Sequence, residues 1–263
     1  MVESVLPALA AVLCVALAWS MLRRFAARHR IHELIWGGTF VAFGLAAGAE
    51  LYAGLFEWTP GLVRLYYLTG ASLAVGFLAL GTLVLLVPRR IAWVAVSVVL
   101  VQSTFMVFLV LRAPVDPDAA QVAGWSALTK DGSLRALALT INVLGTLIVL
   151  LGTFGSAYAQ WVNGNGSRAF GVLLIGVGTL VIATGGSLTR FGHHLLYGPM
   201  VPGLLLIYAG YHRVTAPGGG VSQRPAVPSV DDDEPSASEA APTDGTIRTH
   251  EVGRETWQSH LKS

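Results

Sequence analysis

Predominantly apolar stretches of about twenty residues recur along most of this chain. Seven such stretches can be drawn, at residues 4–22, 34–56, 62–87, 91–112, 135–158, 169–189 and 194–212. A helix needs about 20 apolar residues to cross the hydrocarbon core of a bilayer. Backbone N–H and C=O groups in lipid must be paired within the segment, and the runs are continuous rather than alternating, so they predict helices and not barrel strands. The pattern therefore predicts an all-α membrane protein, a bundle of about seven transmembrane helices.

Basic residues at the ends of the stretches predict the orientation. With the N-terminus outside, the cytoplasmic side receives eight Lys and Arg residues and the outer side five. The first connection alone carries Arg23, Arg24, Arg28 and Arg30. Because cytoplasmic loops carry the excess of Lys and Arg, we expect the N-terminus outside and the C-terminus inside. Two lysines against fifteen arginines are typical of a GC-rich genome, so a bacterial plasma membrane is the expected location.

The end of the chain differs from the rest in composition. Residues 1–213 contain 13 Lys+Arg and 7 Asp+Glu, whereas residues 214–263 contain 4 and 8. The second segment is rich in Pro and Ser and has too few apolar residues to offset the entropy of ordering it. We predict a transmembrane domain at 1–213 and a disordered, acidic cytoplasmic tail at 214–263. Residues 247–261, with Trp257, are a candidate contact for a protein partner.

Small residues recur at helical spacing within several stretches. Glycines seven residues apart are Gly37 and Gly44, Gly145 and Gly152, and Gly171, Gly178 and Gly185. Such spacing lets neighbouring helix backbones approach closely. The glycines either pack the helices of one chain or form a homodimer interface, and the first interpretation is favoured.

The most informative polar residue within a predicted span is Glu50. It lies six residues from the outer end of the second span, about 9 Å deep. A carboxylate there has to be protonated, paired or in contact with water. Side chains expected near the same end form an outer-facing polar cluster with it: Arg64, Tyr67, Arg190, His193, His194 and Tyr197. This cluster is either a ligand or ion site, or an ion pair of Glu50 with Arg64 or Arg190 that only joins helices.

Two further features lie within spans. Pro199 and Pro202 interrupt the last stretch, and broken helices are tolerated where they line a cavity. The alternative is a proline-kinked helix start. Gln102 and Asn142 lie in the middle of their spans, where hydrogen bonds between helices are the favoured interpretation.

Cofactor chemistry finds little support in the residue pattern. Retinal needs a Schiff-base lysine within a span, and neither Lys130 nor Lys262 lies in one, so a retinal protein is excluded. His193, His194 and Glu50 are weak candidates for a metal site. His29 and His32 could approach His212 and ligate a haem, although nothing in their spacing requires it.

The outer connection 113–134 is long enough for a short helix. Asp116 followed by Pro117 predicts an N-cap and the first helical position.

The favoured function is a non-enzymatic sensor or transporter-like subunit with an outward-facing polar pocket. One alternative is a structural or assembly subunit of a membrane complex that binds no ligand. The other is a membrane-embedded enzyme that depends on a metal or a haem. Lipid is the expected surrounding, because anionic headgroups account for the basic residues at the helix ends, and nucleic-acid binding is not expected.

Overall fold

The described residues are entirely helical apart from turns and one isolated β-bridge. The computed structural model describes residues 2–190 and 197–216. The helices are α1 (Val2–Arg28), α2 (Ile31–Leu55), α3 (Pro60–Tyr66), α4 (Ala74–Leu86), α5 (Arg89–Arg112), α6 (Pro117–Ala123), α7 (Gly132–Val162), α8 (Gly166–Arg190) and α9 (Tyr197–Thr215). A π-helix at Tyr67–Leu73 joins α3 to α4, and a 3-10 turn at Gly124–Ala127 follows α6.

Six of these segments are long and apolar enough to cross a membrane. They are Val5–Arg28, Ile31–Leu55, Pro60–Leu86, Arg89–Arg112, Gly132–Val162 and Gly166–Thr184. The all-α membrane bundle predicted from the sequence is thus supported at six of the seven stretches. The seventh stretch is the helix α9, which is 19 residues long and contains Pro202, but it is not among the six. The count of seven and the orientation stay predictions. Of the tail predicted at 214–263, residues 214 and 215 belong to α9, and residues 217–263 lie outside the described residues.

Glycine allows α8 and α9 to pack backbone to backbone. A Cβ added at Gly178 would lie 2.6 Å from the carbonyl oxygen of Gly203, and one at Gly171 would lie 3.1 Å from that of Gly210. Gly171 and Gly178 are seven residues apart on α8, and Gly203 and Gly210 are seven apart on α9, so two glycine stripes face each other. This is the within-chain packing that the spacing predicts.

The other regularly spaced glycines also face neighbours in the same chain. A Cβ at Gly145 would meet Val75, one at Gly152 would meet Thr82, and one at Gly37 would meet Leu22. Gly48, by contrast, has nothing within 4 Å of an added Cβ. A homodimer remains a prediction, and the glycines that the structure already packs are not free to form it.

Helix α5 exposes apolar side chains over most of its length. Trp93, Val98, Val101 and Phe105 are each at least half exposed. Water would not favour this surface, whereas lipid tails are as apolar as these side chains. The exposure therefore fits a helix at the lipid-facing edge of the bundle.

The connection between α5 and α7 folds back onto the start of α3. Asp116 caps α6 by accepting bonds from the N–H groups of Asp118 and Ala119, which confirms the predicted short helix. Gln121 exchanges two hydrogen bonds with the backbone of Trp58, at 3.1 and 2.8 Å. These contacts hold Trp125, on the 3-10 turn, against the rings of Tyr66 and Tyr67.

Candidate functional site

A cavity of about 710 Å³ lies among the central helices. Its walls come from α2, the π-helix, α4, α7, α8 and α9, and the 3-10 turn and the residues before α7 contribute to one end. Small-molecule sites in proteins usually occupy about 300–1,000 Å³ and have mostly apolar walls with a few polar groups. The size and the lining of this cavity match that description.

Two cations and three aromatic rings form the mouth of the cavity, at its predicted outer end. The Lys130 ammonium lies 5.0 Å from the ring centre of Trp125 and 5.5 Å from that of Tyr67. The Tyr66 ring stacks on Trp125 with centres 5.8 Å apart. Arg135 also lines the mouth, is exposed, and makes no ion pair with any other described residue. The mouth therefore combines positive charge with flat apolar surface.

Three polar side chains line the cavity further in. Asn142 and Thr146 are one turn apart on α7, and Thr179 is on α8. The Asn142 amide donates to the carbonyl of Ala138 at 2.8 Å, and the Thr179 hydroxyl donates to the carbonyl of Ile175 at 2.9 Å. Asn142 makes a further interaction. These side chains are the polar part of an otherwise apolar interior.

Apolar side chains make up most of the remaining lining. Among them are Phe40, Leu78, Met200 and Ile207. The indole N–H of Trp36 donates to the carbonyl of Leu78 at 3.2 Å, which fixes α2 against α4 below the cavity.

The π-helix between α3 and α4 places both tyrosines at the mouth. Tyr66 and Tyr67 are each 4% exposed and both line the cavity, although they are consecutive residues. A Cβ added at Gly70 would lie 2.7 Å from the Cβ of Ala46, so only glycine allows this close approach to α2. π-helical turns within α-helices are frequent at functional sites.

The predicted cluster around Glu50 is distributed as follows. Tyr67 lines the cavity. Glu50 is half-buried, has an interaction partner, and lies one turn beyond Ala46, which lines the cavity. Arg64 donates its Nη2 to the carbonyl of Ala113 at 3.2 Å, so it anchors the end of α5 to α3.

The remaining predicted site residues are at or beyond the edge of the described residues. Arg190 and Tyr197 have a described backbone as the last residue of α8 and the first of α9. His193 and His194 lie outside the described residues, and so does any metal site that they would form with Glu50. Within the described ranges, no three His, Cys, Asp or Glu side chains come together as a metal site would require.

The three histidines considered for a haem all contact aromatic rings. His32 packs against Trp36 with ring centres 5.3 Å apart, and His212 packs on Tyr208 at 4.4 Å. His29, in the connection between α1 and α2, lies against Phe25 with ring centres 5.9 Å apart, and its φ is positive at 51°.

Sequence reasoning missed Lys130, Arg135 and Trp125 as site residues. One signal was present: Arg135, Asn142 and Thr146 are spaced by seven and four residues, which places them on one face of a helix. That stripe of polar residues in an apolar helix predicts a polar cavity wall, but it does not show which helices lie opposite.

A second polar cluster was also missed, at the predicted cytoplasmic end. Glu33 is 5% exposed, and its Oε1 lies 3.5 Å from the Arg24 Nε. The Arg24 guanidinium lies 5.8 Å from the ring centre of Tyr211. Glu33 Oε2, Arg24 Nε and Tyr211 Oη are buried, and none has a hydrogen-bond partner among the described residues. The cluster joins α1, α2 and α9 at the end opposite the cavity mouth.

The fold is an all-α bundle with helices long and apolar enough for an integral membrane protein, and it contains a central cavity of ligand size. Comparison with known proteins goes no further, because no protein family, no curated protein and no solved structure matches this chain.

Proposed function

We propose that this protein binds a small amphipathic anion, such as a fatty acid, in the central cavity, as a sensor or transporter-like membrane subunit. The observation that carries the proposal is the order of the cavity lining. Lys130 and Arg135 lie with aromatic rings at the mouth, and the aliphatic lining residues of α7 follow further along the helix: Leu139, Val143, Leu147 and Val149. A ligand with one charged end and an apolar chain has the matching order.

The dimensions of the cavity agree with a chain-like ligand. Arg135 and Val149 both line it and are 14 residues apart on α7, which corresponds to a depth of about 21 Å at about 1.5 Å per residue. Leu139, Val143 and Leu147 line the same wall and are about half exposed, so the apolar surface is accessible. An anion entering from the predicted outer side would meet Lys130 and Arg135 first.

The proposed arrangement in the membrane follows the sequence prediction. Seven spans, with α9 as the last, put the mouth outside and the acidic tail in the cytoplasm of a bacterial cell. Glu50 and the segment 190–197 would then border the mouth, where they would influence which anions enter.

The test is equilibrium binding of radiolabelled stearate to the full chain in lipid nanodiscs, with empty nanodiscs as the blank. We expect saturable binding of one stearate per chain, and weak binding of octadecanol, which has the same chain without the charge. Arg135→Gln should weaken stearate binding about tenfold, because a hydrogen bond to a charged group contributes roughly 1.5–3 kcal/mol and an exposed charge the lower part of that range.

Arg112→Gln is the matched control. Arg112 is also near the predicted outer face, but its guanidinium lies over the Phe108 ring at 4.3 Å and does not line the cavity. The control should bind stearate like the unaltered protein. Stearate binding that is not saturable, or that is equally affected by both substitutions, would refute an anion site at this mouth.

A further inference from the structure

Thr146 differs from the other buried or half-buried threonines of the described spans in how its hydroxyl is used. A hydroxyl in a membrane helix commonly donates to a carbonyl of its own helix. Five buried or half-buried threonines of the described spans do so, at 2.7 to 3.0 Å: Thr39, Thr69, Thr82, Thr153 and Thr179. The half-buried Thr146 lines the cavity, and its hydroxyl makes no hydrogen bond with any other described residue. Its donor and acceptor are therefore available to a molecule that occupies the cavity.

Thr146 is also not an isolated polar group. Asn142 is one turn away on the same face of α7, and both line the cavity. Polar groups in a lipid-surrounded interior are costly unless they are hydrogen-bonded. A purely aliphatic ligand chain would leave the Thr146 hydroxyl without a partner, and a chain that carries an oxygen at this level would not.

We propose that the ligand is a fatty acid with a hydroxyl group near the middle of its chain, and that this hydroxyl bonds with Thr146. The proposal rests on the proposed function, since it places the carboxylate at Arg135. Along α7, Asn142 lies about 10 Å and Thr146 about 16 Å from Arg135 at about 1.5 Å per residue. Because the arginine side chain reaches into the mouth, the hydroxyl stands well down the chain and not next to the carboxylate. A hydroxyl both donates and accepts, as Thr146 does.

The experiment is competition against radiolabelled stearate in nanodiscs, with 10-hydroxystearate, 2-hydroxystearate and unlabelled stearate as competitors. We expect 10-hydroxystearate to bind about threefold to tenfold more tightly than the other two, the effect of one added hydrogen bond. The 2-hydroxy isomer has the same polarity, so a preference for the 10-hydroxy isomer over it reports the position of the oxygen.

Three variants assign the preference to Thr146. Thr146→Val keeps the shape of the side chain and removes the hydroxyl, so it should abolish the preference and make the affinities for 10-hydroxystearate and 2-hydroxystearate equal. Thr146→Ser restores a hydroxyl and should restore the preference. Thr104→Val is the matched control, because Thr104 is on the exposed helix α5 and donates to its own Leu100 carbonyl at 2.9 Å.

The outcomes separate this inference from the proposed function. Saturable stearate binding with equal affinity for the three competitors overturns the hydroxyl contact and leaves the anion site standing. A preference that persists in Thr146→Val overturns the assignment to Thr146. Absence of saturable stearate binding overturns both.

Discussion

At the residue scale, Glu33 and not Glu50 is the deeply buried carboxylate of the described chain. Glu33 is in the first turn of α2, where the helix dipole favours a negative charge, and Arg24 of α1 lies against it. The sequence around Glu33 did not indicate its burial, because a glutamate among arginines at the end of an apolar stretch is usually at the membrane surface. Burial came from the packing of α1 and α9 over it.

We expect Glu33→Gln to destabilise the protein by about 2 kcal/mol. Removing one partner of a fully buried ion pair costs about 3–5 kcal/mol, and the cost is lower here because the Arg24 side chain is still 25% exposed. The measurement is thermal unfolding of the full chain in detergent micelles. Glu57→Gln is the control. Glu57 is exposed, so this variant should unfold at the same temperature as the unaltered protein. Equal stability of the two variants would mean that the Arg24–Glu33 pair contributes nothing.

At the element scale, the close packing of α8 on α9 depends on the absence of side chains at four glycines. The carbonyl oxygens of Gly203 and Gly171 lie where Cβ atoms would stand on the opposite helix. Since no hydrophobic effect drives helices together within lipid, the contact depends on dispersion between closely packed backbones. Larger residues there would separate α9 from the cavity wall it helps to form.

Gly178→Ala tests this packing. A Cβ 2.6 Å from a backbone oxygen forces the helices apart, and we expect a loss of about 1–3 kcal/mol, although alanine is by itself the better helix residue. Gly155→Ala on α7 is the control, because a Cβ there meets nothing within 4 Å and should leave stability unchanged or raise it by up to about 1 kcal/mol. Thermal unfolding of the two variants should therefore shift in opposite directions or by clearly different amounts. Similar shifts in the two variants would show that the close α8–α9 contact does not contribute to the stability of the fold.

At the scale of the whole molecule, the side of the membrane on which the C-terminus lies depends on whether α9 crosses. Six segments qualify as membrane spans by length and composition, and α9 has 19 residues with Pro202 inside it. Its side chains Leu204, Ile207 and Tyr211 are buried in one core with Leu17 of α1 and Phe40 of α2. A helix packed between spans in this way is expected to cross with them.

Reporter fusions at the two ends test the topology. With seven spans, a reporter active only outside the membrane should work at the N-terminus and fail after residue 263, and a cytoplasmic reporter should do the reverse. Fusions in the connections at residue 130 and residue 164 check the two sides independently. If both termini report the same compartment, α9 does not cross the membrane. The cavity mouth at Lys130 then lies outside only if the fusion at residue 130 still reports outside.

The sequence by itself determined that the chain is helical and apolar enough for a membrane. It located the ends of the long helices within about four residues, except that α1 continues to Arg28, beyond the stretch predicted at 4–22. It could do so because a bilayer requires about twenty apolar residues per crossing and paired backbone groups within each segment. It also predicted the helix capped by Asp116, since a cap depends on neighbouring residues alone.

Tertiary structure decided which polar side chains share a cavity. Lys130, Tyr67 and Thr146 come from three separate segments and line one cavity. Their common position depends on the π-helical turn after Tyr66 and on the glycine contacts of α2, α4 and α9. In an apolar helix nearly every face can pack against a neighbour, so periodicity leaves the pairing of faces open. The close contacts that small residues permit fix that pairing, and with it the cavity.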